Sequence, residues 1–520
     1  MPAWADVPQA LDAYVRARAA DAAGDSMAAA AGYRAALQRD PDSGVIANRA
    51  YREALVAGDM ALARSAAATL DRAGTTPVDA ALLDVASAVR DRQWAAADAA
   101  ADRLSTGPLD FLAPVVKAWT AYARKADAPA SLLPAVAKNP LAQRFNTENR
   151  ALLLIADGQA DAGVAQLRAL VAAGSDSVNL RVAAAQLLAA RGRRDAAQAL
   201  LAGDDPAMAA VRDRIGRGVK PSAAFGISRL FVRLAADLVD GDARPLAIIL
   251  CRTALEIDPD DDRARLTLAG ALSNGGAQDR ALALLGAVDP RGGYAATARG
   301  MSITMLTRAG QPAAALKVAE AEAAARAAGA DDAQRLGDLL AVAGRYDDSA
   351  AAYALAMARG GGADDWMLNM QRGGALEQAG RWDEALPFLR RAVDLAPDQP
   401  HALNYLGYAQ IERGENIDAA RALLERALVL APDDAAITDS LGWAYVRSGR
   451  VAQAVPLLER AARADPGDVT INEHLGDAYW ALGRRYEARY AWRAAAVYAD
   501  GKDAMRLAAK LADGGAEPTR

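Results

Sequence analysis

The sequence is poor in the residues from which active centres are usually built. Among 520 residues there is one cysteine, Cys251, and there are two histidines, His401 and His474. A lone cysteine forms no intrachain disulfide and no thiolate metal site. Two histidines do not assemble a His-rich zinc site, so neither a metal nor a cofactor is expected. Charge of one sign is also lacking, since 60 Lys and Arg stand against 65 Asp and Glu, interspersed along the chain. That balance leaves no basic footprint for nucleic acid. No uninterrupted apolar run approaches the roughly 20 residues needed to span a bilayer, because Arg, Asp or Gly breaks every alanine-rich stretch. Phosphate loops of the type G-x-x-x-x-G-K-[ST], H-E-x-x-H pairs and G-x-S-x-G elbows are absent, and the chain is expected not to be an enzyme.

What is present is alanine, leucine and valine in quantity. The apolar share is 53% with aromatics only 5%, a composition that favours helix over strand. Within it lies a period. Gly407, Gly442 and Gly476 occupy one register at spacings of 35 and 34, and the register continues upstream through Gly373, Gly337, Ile303, Ala269 and Ala235. A weaker form runs through Ala17, Tyr51, Val85, Trp119, Ala151 and Ala185. The step lengthens to 50 only between Ala185 and Ala235, around Gly203-Asp204-Asp205-Pro206 and Gly216 to Pro221. These breakers predict a connector or hinge over residues 203–222, between an N-terminal array (1–202) and a C-terminal array (223–500). A capping helix and polar tail would occupy 501–520.

Each unit reads as two short amphipathic helices joined by a Gly turn (Gly380, Gly414, Gly449, Gly483) and commonly closed by a Pro such as Pro397, Pro432 or Pro466. Gly442 and Ala454 let the two backbones approach, while Leu441, Tyr445, Leu458 and Ala461 supply a buried stripe. About fourteen such hairpins are expected, each covering the open face of the next. An all-α solenoid follows.

The residues Leu441, Gly442, Tyr445, Gly449, Ala454, Leu458, Ala461 and Pro466 resemble the tetratricopeptide repeat at its characteristic offsets. That resemblance implies a right-handed superhelix whose first helices line a concave face that contacts extended peptides or partner helices. Carrying the register over places His401, Asn404 and Tyr408, then Asp439 and Trp443, then Glu473, Asp477 and Trp480 on or near this face, with Asn369 a weaker candidate. Their aromatic and acidic chemistry favours a partner bearing Lys, Arg or a free amino group. The alternative for Tyr408 and Trp443 is packing between neighbouring first helices. The Lys and Asn pattern of the family's clamp for C-terminal carboxylates is not seen.

The phrases LNYLGYAQIERG, ITDSLGWAYVRSGR and INEHLGDAYWALGRRYEARYAWRAA further resemble the C-terminal repeats of bacterial cell-envelope adaptors. Those adaptors hold a carboxy-terminal-processing protease and its cell-wall hydrolase substrates. The resemblance implies a scaffold in the periplasm or at the outer membrane, with such a protease or hydrolase as partner. Those adaptors carry a lipidated Cys at the mature N-terminus, and none is present here. Ala3-Trp4-Ala5 before Asp6 reads as the end of a secretory signal whose charged and apolar parts would precede Met1. The alternative is a cytoplasmic assembly or regulatory module with Met1 retained.

Other motifs have local explanations. Cys251, within LAIILCRTAL, is expected in the core. Glu473, His474 and Asp477 read as a charged helix surface. Gly360-Gly361-Gly362 reads as a loop between repeats, and Asp258 to Asp262 and Asp433-Asp434 as helix caps.

Overall fold

The computed structural model describes the chain except residues 1–6, 135, 138, 173–177, 204–207, 210, 213, 214, 217, 326, 327, 363 and 514–520. The Ala3-Trp4-Ala5 motif, part of the 203–222 interval and the polar tail therefore lie outside the described residues. Among the described residues there are 28 α-helices and no strand. The helices pack in pairs, as the sequence period requires. The chain divides into two compact units, residues 1–311 and 312–520.

The hairpin of Ala435–Arg447 and Val451–Ala464 shows how sequence sets each repeat. Asp434 starts it by accepting a hydrogen bond from the Ile437 amide at 3.0 Å, which satisfies one of the orphan donors of the first turn. Gly449, at φ +75°, carries the chain through the left-handed turn between the helices. Ile437, Leu441 and Ala444 are buried with Ala427, Leu424 and Ile411 of the preceding repeat, and Ala454 and Leu458 with Leu475 and Ala478 of the next. A Cβ at Gly442 would stand 2.7 Å from Leu458 Cδ2, so the close helix crossing depends on the missing side chain. The same hairpin recurs as Trp366–Gln378 with Trp382–Leu395, Pro400–Arg413 with Ile417–Leu430, and Val469–Ala481 with Arg485–Tyr498. Helix Gly501–Asp513 covers the last of these.

The first unit departs from the expectation that each pair contacts only the next. Helix Arg244–Ile257 packs against Gly44–Ala57 and Ala81–Arg90, far away in sequence. Arg252 donates to the Leu55 carbonyl at 2.8 Å and the Val56 carbonyl at 2.7 Å, and Arg280 donates to the Ala57 carbonyl. Two guanidinium groups thus sit on the free carbonyls of one helix C-terminus, where positive charge is favoured. Burial lowers the Arg252 pKa to about 10. Arg64 and Arg90 close the contact by sharing Glu256, whose side chain is nearly buried.

The compact division falls at 311/312 and not in the interval 203–222, which lies inside the first unit. Within that interval Met208 and Val211 are buried. The Val219 amide donates to the Gln186 carbonyl at 3.2 Å, and helix Ala223–Ala236 lies against Ala113–Ala123, where Gly226 fits under the Trp119 ring. The repeat around Trp119 is shortened, with the 3-10 turn Pro129–Leu132 in place of a full second helix. Cys251 is fully buried in this unit's core, and burial pushes its thiol pKa up.

Candidate partner-binding groove

In the second unit, three successive first helices, Pro400–Arg413, Ala435–Arg447 and Val469–Ala481, present their inner faces side by side. Together with the end of Trp366–Gln378 they line a groove of about 690 Å³. Its walls include Glu377, Tyr405, Tyr408, Glu412 and Arg413 from the earlier helices, and Asp439, Ser440, Asp468 and Ile471 from the later ones.

Of the residues singled out from the sequence, Asn404, Tyr408 and Asp439 meet in this groove. Asp439 is buried, and its Oδ2 lies 2.8 Å from His474 Nδ1. The His474 ring is stacked on Trp443, with centroids 4.0 Å apart and planes 8° from parallel. Trp443 donates its Nε1 proton to Glu412. Trp443 is therefore fixed between neighbouring first helices and positions the Asp439–His474 pair. Tyr408 lies 6.3 Å from the same imidazole; burial, then Glu412 and Asp439, push its phenol pKa up. Burial and Glu377 raise Tyr405 to about 12.

The remaining candidates lie elsewhere. His401 is exposed in the first turn of its helix and does not line the groove. Asn369 is buried and donates to the Asp365 carbonyl at 2.8 Å. Glu473 and Asp477 lie beneath helix Gly501–Asp513, where Arg506 binds Glu473 at 2.6 Å and Lys510 binds both carboxylates at 2.6 Å. Burial alone would raise the Glu473 pKa, but the hydrogen bonds from Arg506 and Lys510 outweigh it and bring it down to about 2. Asp477 also accepts the Trp492 Nε1 proton at 2.9 Å. Trp480 packs at 5.2 Å from the Trp492 ring and carries the Arg485 guanidinium 3.4 Å above its face.

One expectation changes here. Glu473 and His474 are buried, with 5% and 7% of their surface exposed, so this stretch is not a solvated charged surface. The groove residues Glu377, Tyr405, Glu412 and Asp468 went unnoticed in the sequence. The signal that could have found Tyr405 and Glu412 is helical spacing from Asn404 and Tyr408 on the same helix. Among the described residues no group of His, Cys, Asp and Glu is placed to hold a metal ion.

Helical hairpins stacked so that their first helices line a shared groove define a repeat protein of the protein-binding class. Residues 376–442 match a tetratricopeptide-repeat family model, and residues 335–400 and 440–504 match a second. The chain thus carries tetratricopeptide repeats, and these imply a protein–protein interaction scaffold. No curated protein matches it. Similar solved structures include a thermophilic TPR protein of Thermus thermophilus, 21% identical, covering 36% of this chain and 98% of that one at a TM-score of 0.32. A tetratricopeptide repeat protein from Parabacteroides merdae is 14% identical over 48% of this chain and 98% of that one, at a TM-score of 0.43. PilW, a widely conserved type IV pilus biogenesis factor, is 18% identical over 36% of this chain and 85% of that one, at 0.32.

Proposed function

We propose that the chain is a non-enzymatic adaptor of the bacterial cell envelope, which holds partner proteins in the groove formed by its C-terminal repeats. The observation that carries this reading is the groove itself. Two consecutive first helices contribute Asn404, Tyr408 and Asp439, and the start of a third contributes Ile471, to one concavity of about 690 Å³ lined by both aromatic and polar groups. Such a surface combines rigid contact area with specific hydrogen bonding, the usual composition of a binding hot spot. No helix among the described residues is long and apolar enough to cross a membrane. The envelope location rests on the C-terminal phrases that resemble envelope adaptors, and it makes a processing protease or peptidoglycan hydrolase the expected partner.

The test is quantitative pull-down with the full chain and with a Tyr408→Ala variant, from envelope and soluble fractions of the cells that produce it. The reading expects a protease or hydrolase of the envelope fraction to be retained by the parent chain and depleted in the variant. Equal recovery by both chains would remove the groove from the account. Enrichment confined to the soluble fraction would favour a cytoplasmic assembly module instead.

A further inference from the structure

We propose that the groove at Asn404, Tyr408 and Asp439 recognises a positively charged side chain, Arg or Lys, presented by an extended segment of the partner. The inference rests on the protein-binding reading of this groove and specifies what the groove selects.

Its starting point is an unmet hydrogen bond. The Asp439 side chain is only 5% exposed, yet its Oδ1 is buried without a hydrogen-bond partner. Its other oxygen is already bonded to His474. The imidazole cannot turn to serve both oxygens, because it is stacked flat against Trp443. A buried carboxylate oxygen with no donor carries a desolvation cost that an incoming N–H can relieve. One repeat earlier, Asn404 lines the same groove and its Oδ1 is also buried without a donor. Two acceptors on adjacent first helices therefore await hydrogen-bond donors.

The charge around them has one sign. Glu377, Glu412, Asp439 and Asp468 line the groove, and Arg413 is the one cation among the described lining residues. Arg413 is already paired with Glu377 at 2.8 Å. His474 faces Asp439 from the next repeat and is taken up by its Oδ2. A ligand that supplies donors without acceptors fits this wall, and a ligand carboxylate is repelled. Guanidinium and ammonium groups meet that description, and the Tyr408 ring offers an aromatic surface beside them. The groove exceeds the volume of one side chain, leaving room for flanking backbone.

The experiment displays a randomised octapeptide library to the full chain, to Tyr408→Ala and to Asp439→Asn, and sequences the retained peptides. Circular dichroism confirms that both variants keep parent helicity. The expected result is enrichment of Arg or Lys at one fixed peptide position, lost on Asp439→Asn. A selected peptide should bind the parent chain on the order of tenfold to a hundredfold more tightly than its citrulline or norleucine counterpart, the range for a hydrogen bond to a charged group. The gain-of-charge variant Asn404→Asp should tighten the same peptide. Neutral or acidic residues at the fixed position, or Arg and Lys enrichment unchanged by Asp439→Asn, would overturn the cation inference while leaving the groove as a peptide site. Retention identical on the parent chain and Tyr408→Ala would overturn both.

Discussion

The Gly442→Val substitution tests the repeat packing at its tightest point. The new Cβ would lie 2.7 Å from Leu458 Cδ2, 2.8 Å from Leu458 Cγ and 3.4 Å from Leu457 Cβ. Valine then adds two methyl groups to a contact that is already too short. Overpacking of this kind costs about 1–3 kcal/mol. Replacing a mid-helix glycine returns roughly 0.5 kcal/mol of helix propensity, so a net loss of about 1–2 kcal/mol is expected. Gly442→Ala provides the contrast. It places only the Cβ against the movable end of Leu458 and recovers about 1 kcal/mol of propensity, so its effect should lie near zero. The Leu458→Ala change removes the clashing atoms and by itself should cost about 2–5 kcal/mol. Combined with Gly442→Val it should cost at least about 1 kcal/mol less than the two single losses summed, because valine fills the space that leucine vacates. Denaturant unfolding followed by far-UV dichroism and tryptophan fluorescence reads all four variants. A valine variant as stable as the parent, or losses that simply add, would refute the claim that this crossing is held by the absence of a side chain.

Three further outcomes follow from the same structure. Arg252→Met leaves the Leu55 and Val56 carbonyls without their guanidinium donor and should destabilise the first unit by about 1–3 kcal/mol. Hydrogen exchange should then rise together in residues 44–57 and 244–257 while 435–447 stays unchanged. Because the Glu473 pKa is lowered from 4.5 to about 2, its pairing with Arg506 and Lys510 stabilises the fold fully above pH 4.5. That contribution is lost as pH falls from there through about 2. Arg506 is half exposed, so the stabilisation at neutral pH is about 1–2 kcal/mol after screening. Glu473→Gln should remove this acid dependence, and hydrogen exchange of residues 501–513 measured from pH 7 down to pH 3 checks it. Trp443→Phe should keep the stack on His474 yet lose the hydrogen bond to Glu412, and it should loosen peptide binding severalfold while preserving helicity.

The repeats could be read from the sequence because their determinants are local. Gly442 opposite Leu458, Gly449 in the turn and Asp434 at the helix start all act within one hairpin, and each appears as a residue type at a fixed offset. The groove was partly readable for the same reason, since Asn404, Tyr408 and Asp439 follow the register of first helices. Contacts that close over long stretches of chain were not readable. Arg252 and Arg280 reach residues 55 to 57 only after several hairpins have turned the array, and that accumulated rotation leaves no mark in any one repeat. Glu473 and Asp477 looked like open inner-face carboxylates because nothing local announces that Arg506 and Lys510 will lie across them. His474 likewise gave no sign that it would be buried, because its partners Asp439 and Trp443 belong to the preceding repeat.

The guanidinium contacts across the first unit bear on its mechanics. A stack of hairpins in which each touches only its neighbours lengthens under load like a spring, by small rotations shared along its length. In the first unit such stretching would have to detach Arg252 and Arg280 from the helix end they hold, and Arg64 and Arg90 from Glu256, before the intervening hairpins could separate. Pulled from its two ends, that unit should resist as a stiff body and then yield abruptly, the trace of a buckle and not of an elastic band.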